Sequence, residues 1–185
     1  SVYSINILTK TLVDEIIEII KNDNIDVLID AGAFFSNYTS EEIIHKLAEG
    51  KGDGEYIYID NNDNKKILSY NNGIINVTDY DNIVHEGAFI YYDNKHIVGI
   101  DIKQPAKMLG IVTINTFNKY TETSQAIFRL RNMNYGHEIQ FLYNDKILNI
   151  HDRSDIYRHV RNNEEIHLYT TYEEKKLIQN IKYLK

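Results

Sequence analysis

Cysteine is absent from the 185-residue sequence. That excludes disulfides, thiolate metal sites and a cysteine nucleophile within the chain. No apolar run approaches the roughly 18 residues that would span a bilayer. The opening "SVYSINILTKTLVDE" lacks the basic segment and following apolar stretch of a secretory signal. A phosphate-cradling G-x-x-x-x-G-K-[ST] loop is missing, because "EGKGDGE" at 49–55 has neither that spacing nor the Ser/Thr. A G-x-S-x-G elbow is missing too, so a serine hydrolase of that type is unsupported. Positive charge is in short supply: 20 Lys and Arg face 27 Asp and Glu, a formal net charge of -7. Such a balance argues against a broad, generic nucleic-acid surface and leaves room only for a local basic groove. The first residue is Ser rather than Met, and a piece excised from a larger protein is expected. An intracellular location is expected, with no metal and no cofactor.

What is present reads as one domain. "TKTLVDEIIEIIKNDN" places Leu12, Ile16, Ile19 and Ile20 at helical spacing, with Thr9 or Thr11 as the cap, and predicts a helix over about 10–22. "IDVLIDAG" is a short apolar run closed by Gly32, the pattern of a strand buried on both faces. "NYTSEEIIHKLAEG" carries the capping box Thr39-x-x-Glu42 ahead of an apolar stripe. Then come a strand at 56–60, a turn in "DNNDNKK", a returning strand at Ile67-Leu68 and the tight-turn dipeptide Asn72-Gly73. Further strands are expected near 88–92, 111–115 and 138–143, and a helix over 122–133. Two helices are expected after 152, the last with Leu177, Ile181 and Leu184 on one face. The alternation implies an α/β fold: a mostly parallel, doubly wound sheet with helices on both faces, a β-hairpin insertion and a C-terminal helical appendage over 152–185.

Candidate chemistry concentrates between Gly99 and Asn132. Within a helix 122–133, Gln125, Arg129 and Asn132 share one face, while Ala126, Leu130 and Met133 share a neighbouring face that can pack on the sheet. Arg131 falls about 200° around from Arg129. Arg131 is therefore expected to point away from the face that Gln125 and Arg129 share, a face that is either a solvated polar surface or one side of an exposed crevice. Other groupings are weaker. Asp93, His96 and Asp101 match no common metal-ligand spacing. Asp30 and Asp60 end apolar strands, as nuclease and phosphatase carboxylates do, but strand-end aspartates are also ordinary turn formers. "DNNDNKK" lacks the Gly and the terminal Glu of a calcium loop. His85, His137, His151, His159 and His167 read as scattered and unpaired.

Three motifs in order carry a resemblance. They are "VLIDAGAF" (Val27 to Phe34), then Asp93, His96, Gly99, Asp101 and Lys103, then Gln125, Arg129, Arg131 and Gly136. Over about 25–143 the chain resembles the C-terminal part of very large eukaryotic and viral proteins labelled ubiquitinyl-hydrolase-like. More distantly, it is similar to the second RecA-like domain of superfamily-two helicases. In such domains a Gly-x-Asp loop touches nucleic-acid backbone or ribose, and an arginine helix reaches nucleotide phosphates across a cleft. The resemblance implies a single RecA-like (Rossmann-like) domain with its core at 25–143 and a half-site formed by Gly99, Asp101, Lys103, Gln125, Arg129 and Arg131. Gln125 and Arg129 would then face an exposed crevice with Asp101. It implies a missing first RecA-like domain as partner, with nucleic acid or ubiquitin as further partners. Arg129 matches the first arginine of the helicase helix. Asn132 stands at the position of the second, and Phe128 at that of a glycine. On this reading the chain is not an enzyme alone; the rivals are a protein-binding module of a ubiquitin-linked assembly and a metal-dependent nuclease using Asp30 and Asp60.

Overall fold

The computed structural model describes residues 2–5, 12–133, 135–144 and 148–183, with the backbone alone at 2–5 and 177–183. In chain order the elements are β1 (Val2–Ile5), α1 (Leu12–Asn22), β2 (Val27–Ile29), α2 (Ser40–Lys51), β3 (Gly54–Ile59), β4 (Lys65–Asn71), β5 (Ile74–Asp79), β6 (Phe89–Tyr92), β7 (Met108–Ile114), α3 (Tyr120–Ile127), β8 (His137–Asn144) and α4 (Arg153–Tyr183). The eight strands form one sheet in the order β1-β8-β7-β2-β6-β3-β4-β5. Every pairing from β1 to β3 in that order is parallel, and β4 and β5 add to it antiparallel. The mostly parallel sheet expected from the sequence is therefore present, and so is the hairpin: Asn72 and Gly73 turn at positive φ between β4 and β5.

Period-two alternation sends side chains to both faces of this sheet. Val27, Ile29, Ile57, Ile90, Val112 and Phe141 pack on one face with Ala126, Leu130 and Ile156, beneath α3 and the start of α4. Leu28, Tyr56, Phe89, Tyr91, Ile111 and Leu142 pack on the other with Val13, Ile16 and Ile20 of α1 and Ile43, Ile44 and Leu47 of α2. Central strands bounded on both sides need apolar residues at every position, as the fully buried β2 and β6 have. Gly110 lets the segment after α3 pack close on the sheet: a Cβ there would lie 2.9 Å from Leu130 Cδ1.

Two expectations need correction, and one strand was not anticipated. β1 extends the sheet beyond β8, although "VYSI" carries no alternation strong enough to announce a strand. α3 ends at Ile127 rather than 133. The side chain of Gln104 intervenes, its Nε2 donating to the Arg129 carbonyl at 2.6 Å and its Oε1 accepting the Arg131 N–H at 3.2 Å. A side-chain amide thus takes the backbone groups that another helical turn would use, and the chain leaves the helix. After residue 152 there is one long α4, not two helices. "RNNEE" at 161–165 contains no proline or glycine to break it. The expected caps at Thr9 and Thr11 and the side-chain face at Leu177, Ile181 and Leu184 lie outside the described residues.

Candidate functional site

In open α/β sheets ligands gather beyond the carboxyl ends of the parallel strands. Here that edge is built from the segments following β2, β3, β6 and β7. Asp30, buried after β2, accepts the N–H groups of Phe34 and Phe35 and the Thr113 hydroxyl, which fixes the loop leading to α2. Burial raises its carboxyl above the usual range, against these hydrogen bonds. Asn118 and Asn115 donate to the carbonyls of Ala31 and Gly32, tying the ends of β2 and β7 together. Asn163 of α4 donates in turn to the carbonyls of Thr116 and Asn118. Asn94, following β6, donates to the carbonyls of Asp30 and Ala31 and forms a ridge. A cavity opens on each side of it.

On the α3 side a cleft of about 320 Å³ is lined by Ile97, Val98, Phe117, Glu122 and Gln125 together with Ala31 and Asn94. Gln125 lines this cleft beside Val98, the neighbour of Gly99, and its side chain is exposed. Gly99 has φ +86, a conformation in which the loop depends on glycine. Lys65 Nζ holds the Asp101 carbonyl at 2.9 Å. The exposed Asp101 carboxylate pairs with Lys103 at 3.2 Å. Arg129 is half-buried and its Nη1 donates to the Ile100 carbonyl at 2.7 Å. Its Nε is buried without a hydrogen-bond partner among the described residues. The loop 99–103 and the Arg129 segment thus meet on one face of the sheet, while Gln125 sits in the adjoining cleft. Gln125 and Arg129 no longer share a helical face, because α3 has ended between them. Arg131 projects an exposed side chain. Leu130 is buried, and Met133 packs partly buried against the same cluster.

The other cavity, about 430 Å³, lies on the α2 side, with Ser36, Asn37, Tyr38, Asn61, Asp63 and Tyr91 on its walls. His96 stands between two carboxylates. Its Nδ1 is 2.8 Å from Asp93 Oδ2 and its Nε2 is 2.6 Å from Asp63 Oδ1. Burial opposes charge on the ring, but hydrogen bonds to Asp63 and Asp93 prevail and raise its pKa. Ser40 Oγ donates to Asp93 at 2.6 Å, joining α2 to the same network. Sequence spacing alone hid this arrangement, since Asp63 is 33 residues from His96. The Asp93-x-x-His96 pair within a strand-end loop was the one local signal.

The remaining candidates resolve into structural roles. Asp60 Oδ1 accepts the N–H groups of Asn62 and Asn64, so it forms the β3–β4 turn. Both nuclease-type carboxylates, Asp30 and Asp60, are therefore occupied by protein donors. No group of three metal-binding side chains occurs among the described residues. The histidines are not all unpaired, as their spacing suggested. His85 bridges Asp81 and Glu55. His137 is buried with its Nε2 at 2.7 Å from the Pro105 carbonyl and its Nδ1 accepting the Asn132 N–H. His159 reaches the Asn115 carbonyl. No helix among the described residues is long and apolar enough to cross a membrane. No family model, curated protein or solved structure matches the chain.

Proposed function

We propose that the chain is one half of a helicase-like nucleotide or nucleic-acid cleft, a RecA-like domain that is not catalytic alone and works with a missing partner domain. One observation carries this reading. The segments from two successive crossovers, β6 to β7 and β7 to β8, are fastened together by the Arg129–Ile100 hydrogen bond of 2.7 Å. In the helicase domains that the sequence resembles, these are the two segments that face ligand. Arg129 acts here as a positioning residue that holds the Gly99–Asp101 loop. Lys103, paired with Asp101, and Arg131 are exposed cations on the two fastened segments, and Gln125 is exposed in the adjoining cleft; these are the groups that would meet backbone phosphates on an otherwise acidic molecule. Without a phosphate-binding loop, nucleotide turnover requires the partner.

A second reading, a protein-binding module of a ubiquitin-linked assembly, draws support from the sheet's β5 edge. All six residues of that terminal strand are exposed, Ile74, Ile75 and Val77 among them. Such an edge can pair with a partner's strand. Titrating the chain with single-stranded RNA, single-stranded DNA and ubiquitin separates the two. The cleft reading expects salt-sensitive nucleic-acid binding that Lys103→Glu with Arg131→Glu weakens about tenfold or more. Nucleic-acid binding untouched by that charge reversal, or saturable binding of ubiquitin alone, would favour the second reading.

A further inference from the structure

The α2-side cavity shares no lining residue with the Gly99–Asp101 loop, and its aspartates and His96 are matched within the protein, while the exposed Lys95 at its rim carries no ion pair among the described residues. Asp30 is held by two N–H groups and a hydroxyl. Asp93 accepts the N–H groups of Lys95 and His96, the Ser40 hydroxyl and the His96 ring. Both ring nitrogens of His96 face carboxylates, an arrangement that favours the protonated ring and raises its pKa against burial. The start of α2 is closed as well. Thr39 Oγ1 accepts the Glu42 N–H, and the Glu42 carboxylate accepts the Thr39 N–H. The Thr39 and Glu42 amides are thus taken, and the carboxylates of buried Asp30 and partly buried Asp93 are already paired.

Neutral hydrogen-bonding groups remain on the walls: the Tyr91 hydroxyl and the side chains of Ser36, Asn37 and Asn61, beside the outer oxygen of Asp63. Tyr91 is 2% exposed, its ring stands edge-on to Phe35, and its hydroxyl has no hydrogen-bond partner among the described residues. Burial, with Asp30 and Asp93 nearby, raises its pKa, so it is a standing donor. The hydroxyl lines the cavity, where an occupant would supply an acceptor. Tyr38, 42% exposed, adds an aromatic surface at the mouth.

We infer that the cavity binds a neutral sugar ring with adjacent hydroxyls, through the Tyr91 hydroxyl, the outer oxygen of Asp63 and the amides of Asn37 and Asn61, with Tyr38 against the ring's C–H face. Adjacent hydroxyls both donate and accept, as this mixed lining demands, and the volume lies within the ordinary range for small-molecule sites. The ring can come from a nucleoside or from a free saccharide. The inference does not depend on the nucleic-acid reading, because none of the residues that line this cavity belongs to the Gly99–Asp101 and Arg129 segments.

Amide NMR titration of the whole chain tests it, with adenosine, 2′,3′-dideoxyadenosine, methyl glucoside, inorganic phosphate and spermidine as probes. Adenosine or methyl glucoside is expected to shift residues 36–38 and 61–63 saturably, at affinities of roughly millimolar or tighter. Adenosine alone identifies a nucleoside source, methyl glucoside alone a saccharide source, and both the shared ring chemistry. Tyr91→Phe removes only an unpaired hydroxyl, so the fold should hold while binding weakens about tenfold. If adenosine is the ligand, its dideoxy analogue should weaken similarly. The inference is overturned if neither sugar source saturates these amides, if Tyr91→Phe binds as well as the original chain, or if the dideoxy analogue binds as well as adenosine. Preferential shifts by phosphate or spermidine would overturn it too.

Discussion

Arg129 shows how a residue assigned to a ligand can instead hold a neighbouring loop. Its guanidinium caps the Ile100 carbonyl and is half-buried, so truncation removes a charge-assisted hydrogen bond and leaves that carbonyl unmatched. Arg129→Ala should cost about 1–2 kcal/mol in urea unfolding, whereas Arg131→Ala, at an exposed position, should cost little. Equal, negligible effects would show that the Arg129 contact does not persist in solution. The clamped histidines set a pH dependence. His85 is raised by its hydrogen bond to Asp81, and His96 by Asp63 and Asp93 against burial. Groups with raised folded pKa values stabilise fully below the ordinary histidine value of about 6.5 and lose that contribution as pH rises through the folded values. Asp81 is held low by its hydrogen bond to His85, and Asp60 is held low by the Asn64 and Asn62 N–H groups despite burial. Their contributions are present above the unfolded carboxylate range and lost as pH falls through the folded values. The thermal midpoint should therefore be higher near pH 6 than near pH 8.5, and His96→Asn should flatten the alkaline decline. A midpoint that rises between those pH values would contradict the clamps. None of this could be read from the sequence, where Asp63 and His96 are distant and Arg129 fell on a helical face assigned to a ligand cleft.

At the scale of elements, the sequence was most legible where apolar runs were short, β-branched and bounded by turn residues. The expected strands at 56–60, 88–92, 111–115 and 138–143 all overlap observed ones, because a strand buried on both faces must be apolar throughout. The capping box Thr39-x-x-Glu42 and the Asn72-Gly73 turn were also legible, since each is a local hydrogen-bond or φ requirement written in adjacent residues. The end of α3 was not. It depends on Gln104, far away in sequence, whose amide holds the Arg129 carbonyl, the Arg131 N–H and the Tyr92 hydroxyl. Gln104→Ala should thus cost about 1–3 kcal/mol and speed amide exchange at 129–131 specifically. Unchanged exchange there would mean that another contact ends the helix. Without that stop, Gln125 and Arg129 would share the helical face the sequence suggested.

At the scale of the molecule, six parallel strands present one carboxyl edge, with a cleft on each side of Asn94. The class of fold was legible from the alternation of apolar runs and amphipathic stretches; the division of that edge into two unlike cavities was not, because it arises from side chains supplied by four separate loops. A half-site without a phosphate-binding loop should leave ATP hydrolysis at background, and turnover abolished by Arg129→Ala would overturn the idea that the site is incomplete. The central claim is that loop 99–103 and the Arg129 segment form one nucleic-acid-facing surface. Hydrogen–deuterium exchange of the whole chain, with and without saturating single-stranded RNA at low salt, tests this most directly. The account predicts added protection at 97–104 and 128–132, lost together in the Lys103→Glu, Arg131→Glu double variant. Protection confined to β5 or α4, or none at either predicted segment under saturation, would contradict it.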